Sequence, residues 1–143
     1  LTDAVTGTDL NSLAIDALHI GSAINNESNL TMYMDLELHL ASLDLSAQTN
    51  PAVLVYLLGS IDGGTNFDDA TDATTNDALY PAKEPAAIMA VRVGTGAEAK
   101  NSIRQMVPVG PGRWKFCVAN KTGVIFAASG NTLKYRLYKG NVA

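Results

Sequence analysis

Between residues 30 and 40 the chain alternates strictly: Leu30, Met32, Met34, Leu36, Leu38 and Leu40 are apolar, while Thr31, Tyr33, Asp35, Glu37 and His39 carry polar groups. Successive side chains of a β-strand point to opposite faces, so this pattern sends one row into a core and the other toward solvent or a partner. A helix would spread the even positions around its whole circumference, which leaves it no polar face. A second run, Ala52-Val53-Leu54-Val55-Tyr56-Leu57-Leu58, is continuously apolar. That composition suits a central strand covered on both sides.

Further strand signals lie at residues 87–93, 102–109, 113–119, 124–127 and 132–138, with a weaker one at 12–20. Gly94-Thr95-Gly96, Gly110-Pro111-Gly112, Asn120-Lys121-Thr122-Gly123 and Ser129-Gly130-Asn131 punctuate them with turn chemistry. Residues 65–82 are polar, rich in Asp, Thr, Asn and Ala, and have neither period, which marks a long surface loop. About eight short strands with no helical crossover predict an all-β fold: one antiparallel β-sandwich or jelly-roll-like domain over residues 12–143. Residues 1–11 are polar and aperiodic and are expected to form an extended N-terminal arm, frayed or ordered on a neighbour.

Charge is distributed unevenly. Residues 1–82 hold twelve acidic and no basic side chains, and residues 83–143 hold two acidic and ten basic. Either acidic and basic strands lie side by side, the preferred reading, or opposite charge is displayed on two faces that could meet in a repeating lattice. The single Cys117 allows no internal disulfide, and within Trp114-Lys115-Phe116-Cys117-Val118 it reads as a buried structural thiol. No apolar run approaches the roughly 20 residues a membrane-crossing helix needs, so no membrane partner is expected. The chain begins at Leu1 with no basic segment or apolar run of a signal peptide behind it; its start is expected to have been removed or to lie further upstream.

Candidate chemistry is sparse. His19 and His39 lie on separate elements, without the spacing of a zinc site, and no nucleophile elbow appears. Asp35 and Glu37 share a strand face with His39, an arrangement that serves acid–base chemistry or simply a solvated face. Asp62, Asp68, Asp69, Asp72 and Asp77 supply hard oxygens of the kind calcium takes, but they lack the EF-hand order of ligands and its mid-loop glycine, so a hydrated loop is preferred. Three sequons, at Asn26, Asn29 and Asn120, read as turn residues. Arg92, Arg104, Arg113, Lys115, Lys134, Arg136 and Lys139 could track a phosphate backbone, yet the net charge of −4 and the lack of a glycine-rich phosphate loop oppose a nucleic-acid partner. No cofactor and no catalytic residue is assigned. A carbohydrate- or receptor-binding module would instead expose Tyr33, Tyr56, Tyr80 or Trp114, but Trp114 alternates with Phe116 and Val118 as a core row does.

The stretch from Pro111-Gly112-Arg113-Trp114-Lys115-Phe116-Cys117-Val118 to Gly123, the stretch from Ala127 to Tyr138, and the segment Gly59-Ser60-Ile61-Asp62-Gly63-Gly64-Thr65-Asn66-Phe67 resemble small structural virion proteins of tailed bacteriophages. With Leu57 and Leu58 they make up about a quarter of the chain. The resemblance implies a non-enzymatic subunit assembled in the host cytoplasm and resident in the virion. Its first implied role is a capsid decoration or cement protein bound to the major capsid protein, its second a tail or fibre-base component. A dimer or trimer is expected at symmetry axes. Candidate interface residues are Leu1, Val5 and Leu10 in the arm, and Arg113, Lys134 and Arg136 on basic strands.

Overall fold

The computed structural model describes residues 1–5, 9–70 and 80–139. They form eight antiparallel strands: β1 (Thr2–Asp3), β2 (Leu18–Asn25), β3 (Tyr33–Asp44), β4 (Ala52–Ser60), β5 (Ala87–Ala90), β6 (Ala97–Pro108), β7 (Arg113–Lys121) and β8 (Thr132–Tyr138). Sheet A has the order β1-β8-β3-β6 and sheet B the order β2-β7-β4-β5. The pairs β1/β8, β2/β7, β3/β6 and β4/β5 are therefore nested, as in one long hairpin folded over on itself. That is the jelly-roll arrangement, and the expected all-β sandwich is what the chain forms.

The inner faces meet in one core. Met34, Leu36, Leu38 and Leu40 of β3 and Leu133 of β8 face Val53 and Val55 of β4 and Trp114, Phe116 and Val118 of β7. A second apolar cluster lies on the outer face of sheet B, where Leu18, Tyr56, Leu58, Cys117 and Ala119 pack against Phe67, Ala70 and Tyr80 from the long loop after β4. The run 52–58 is thus covered on both faces. Val53 and Val55 point inward, and Tyr56 and Leu58 point out under the loop, held there by a Tyr80 hydroxyl that donates to the Asp16 carbonyl at 2.9 Å.

Several boundaries differ from expectation. Leu30 and Met32 stand 57% and 54% exposed, outside the core row, because Leu30 has a φ of 46° and the Asn26 side chain holds both the N–H and the carbonyl of Thr31. The weak strand at 12–20 begins only at Leu18, since Ser12 and Asp16 adopt positive φ. Residues 124–127 form no strand: the Val124 carbonyl is taken by Asn120 Nδ2 and Thr122 Oγ1, although Phe126 is buried and donates its N–H to Leu13. Past Leu40 the core row moves to Leu43 and Leu45, and the β3/β6 register slips between Leu40 and Leu43. One bulge residue resets the parity and keeps the leucines inside.

The N-terminal arm is also corrected. Thr2 and Asp3 pair with β8, Ala4 donates its N–H to Leu133, and Ala4, Val5 and Leu10 lie in the core. Val5 and Leu10, expected at a partner surface, are only 4% and 0% exposed. The segment crosses β2 at Gly21, where a Cβ would stand 2.8 Å from the Ala4 carbonyl oxygen. Only glycine permits that approach. Leu10→Ala is accordingly expected to lower unfolding free energy in urea by about 2–5 kcal/mol, whereas a dispensable arm would leave the transition unmoved.

Candidate partner-binding face

The two outer faces differ. Sheet B is covered by Phe67, Ala70 and Tyr80, with Lys115 4.2 Å above the Phe67 ring and Lys121 4.6 Å above Tyr80. Sheet A has no such cover among the described residues. Its outer face carries the polar row of β3, with Tyr33 opposite Tyr138, Asp35 opposite Arg136, Glu37 opposite Lys134 on one side and Ile103 on the other, and His39 opposite Asn101. Opposite charges facing each other across strands stabilise a sheet by a few tenths to about 1 kcal/mol per pair.

Asp35 ties three strands together. One carboxylate oxygen accepts from the Arg136 guanidinium of β8 at 2.6 Å, and the other from the Met106 N–H of β6 at 3.1 Å. Met106 has a φ of 56° and sits where β6 slips register against β3. The carboxylate thus closes a bulge whose N–H would otherwise lack a ladder partner. The Arg136 hydrogen bond, with smaller help from Met106 and Tyr138, holds the Asp35 carboxyl below its ordinary range against the opposing effect of burial.

Around this hub the surface is apolar. A concavity of about 500 Å³ is lined by Leu30, Met32, Tyr33, Pro108 and Pro111, and a second of about 540 Å³ lies between Met106, Arg136 and Tyr138. Tyr33 and Tyr138 stack at 6.0 Å between them. Ile103 and Met106 are 66% and 64% exposed. Leu30, Met32, Ile103 and Met106 did not stand out as surface residues in the sequence. Leu30 and Met32 continue the core row on paper, and the bulge that turns Met106 outward leaves no local mark.

The expected interface residues separate. Leu1 is exposed and borders the same face beside Glu37, Ile103 and Arg136. Lys134 and Arg136 lie on it, whereas Arg113 is on sheet B, 3.2 Å from Glu27. Of the halves of opposite charge, Asp16 meets Lys121, Glu27 meets Arg113, Asp35 meets Arg136 and Asp68 meets Lys83 within 2.6–3.2 Å. Side-by-side pairing, the preferred reading, is therefore what the charge split produces at these four contacts.

Two of the loop carboxylates, Asp62 and Asp68, are occupied internally. Asp62 accepts from the Ser60 hydroxyl, the Thr65 and Asn66 N–H groups and the Asn66 amide, and these bonds, led by the Asn66 N–H, lower its carboxyl to about 2. Asp68 accepts from Lys83 and the Gly59 N–H. Asp72 and Asp77 fall outside the described residues, and no cluster of three or more metal-ligating side chains occurs among the described ones. His39 meets Asn101 at 2.7 Å rather than either carboxylate of its row. Of the aromatic residues considered for a sugar platform, Trp114 and Tyr56 are buried. Of the sequon asparagines, Asn26 and Asn120 are fully buried in loop networks.

Comparison with protein-family models, curated proteins and solved structures found no match.

Two measurements follow from these carboxylates. Because Asp35 titrates below 3.8 in the folded chain, its contribution is complete above pH 3.8 and disappears as pH falls through the lowered value. Asp35→Asn should lower the melting temperature at pH 6 and flatten its decline between pH 4 and pH 2. With Asp62 and Asp68 engaged by the loop itself, millimolar calcium should leave the melting temperature of the wild-type chain unchanged.

Proposed function

We propose that this chain is a non-enzymatic virion structural subunit that decorates and cements the capsid of a tailed bacteriophage by binding its major capsid protein. The supporting observation is the difference between the two outer faces: the middle of sheet B is covered by Phe67, Ala70 and Tyr80, and sheet A presents apolar hollows around a neutralised Asp35–Arg136 pair. An exposed apolar patch with polar surroundings is the usual mark of a protein contact. The resemblance of residues 57–67, 111–123 and 127–138 to phage virion proteins points the same way, and jelly rolls occur in viral capsids as well as in lectins and cupins. Fold alone does not assign a role.

An enzymatic reading has less to stand on. Asp35 is committed to Arg136 and Met106, and His39 is held by Asn101, so the three polar residues of the β3 row do not converge on a reacting atom. The carbohydrate reading loses Trp114 and Tyr56 to the interior. A tail or fibre-base position remains the second role for the same face, and stoichiometry distinguishes the two.

The test is cosedimentation of the purified chain with expanded heads of a tailed phage that carries the gene, followed by counting copies per particle. Saturation at hundreds of copies, weakened by Met32→Asp and by Met106→Asp, is the expected result. Six or twelve copies would assign the chain to the tail, and no binding to heads or tails would overturn the proposal.

A further inference from the structure

The four sheet edges are protected unequally. β1 is two residues long and β5 four, and β2 is crossed by Ala4 and Val5 at Gly21. β6, with twelve residues, pairs with β3 on one side only, and Ala97, Ala99, Asn101, Ile103 and Arg104 along it are exposed. An open row of backbone donors and acceptors of this length is a template for another strand. The bulge at Met106 and the proline at 108 end that template, leaving residues 97–104 as its regular part.

We infer that residues 97–104 pair antiparallel with the same residues of a second copy, about a two-fold axis at Asn101, joining two A sheets into one. The occupant and the register follow from charge. With Asn101 facing Asn101 of the second copy, each Glu98 faces an Arg104, each Ala99 faces an Ile103 and each Lys100 faces a Ser102. Moving the axis to Lys100 sets two lysines against each other, and moving it to Ser102 sets Lys100 against Arg104. Like charges directly opposite destabilise a ladder, so the register about Asn101 is favoured over these two. Arg104 is exposed and has no ion pair among the described residues, which leaves it available for this contact. Lys100, buried at the base of the edge, is neutralised by its own Glu98 at 2.7 Å, and that carboxylate also accepts from Arg92. The pairing also covers Ile103, which is 66% exposed in the single chain. A short two-fold strand pairing buries little area, so the dimer forms reversibly with concentration.

Sedimentation velocity and disulfide trapping test this on the full chain. Wild type should pass from monomer to dimer as concentration rises, and Arg104→Glu, which removes no internal ion pair, should weaken the dimer at least about tenfold while keeping the wild-type melting temperature measured under dilute, monomeric conditions. Directly opposed residues of an antiparallel pair have Cα atoms about 4.5–5.5 Å apart, within disulfide range. Asn101→Cys should therefore give an oxidised dimer rapidly. Ile103→Cys, whose copies would lie four residues out of step, roughly 13 Å along the strand, should not. A chain monomeric at every concentration, an Arg104→Glu variant that dimerises like wild type, or Ile103→Cys crosslinking as fast as Asn101→Cys would each overturn the inference. The outcome is independent of capsid binding, which is read on phage particles.

Discussion

Nested antiparallel pairing is the constraint on which the rest of this molecule depends. Strands from the first half of the chain lie beside strands from the second half in β1/β8, β2/β7, β3/β6 and β3/β8, and β4 is flanked by β7 and β5. A chain whose acids precede its bases therefore becomes a molecule in which the two signs are neighbours. Asp35–Arg136 and Glu37 opposite Lys134 are direct results of the β3/β8 register. The terminal strands pair with each other, and non-local pairing of this kind is slow to form.

The same topology accounts for the asymmetry of the surface. The long connection from β4 to β5 returns across sheet B, where Phe67 and Tyr80 find Leu58, Tyr56 and Cys117 beneath them. No comparable connection crosses sheet A among the described residues. Its outer face is held in shape instead by side chains, chiefly the Asp35 carboxylate that reaches to β8 and to the β6 bulge. The centre of that face is polar, with Asp35 paired to Arg136, and the exposed Leu30, Met32 and Met106 sit at its margins.

Much of the architecture was legible along the chain because it rests on period and punctuation. The row from Met34 to Leu40, the doubly covered run at 52–58 and the core placement of Trp114 and Phe116 each follow from alternation or its absence. What escaped reading depends on partners distant in sequence. Val5 and Leu10 look like isolated apolar residues in a polar segment until Gly21 and Leu133 are brought beside them. Residues 124–127 have strand composition, but Asn120 and Thr122 claim the Val124 carbonyl that a ladder would need. The one overlooked local sign was the change of leucine parity between Leu40 and Leu43, which marks a bulge. The candidate surface was the least legible part, since Met106, Leu30 and Met32 are apolar residues turned outward by backbone at positive φ or just after it.

Trp114, the sole tryptophan, sits 3% exposed between the sheets, 5.1 Å from the Phe116 ring and 6.4 Å from Tyr135, and its indole N–H has no acceptor among the described residues. An indole in such dry surroundings emits at short wavelength and shifts to the red when water reaches it. The chain thus carries its own optical gauge of whether the two layers are still pressed together, readable without any label.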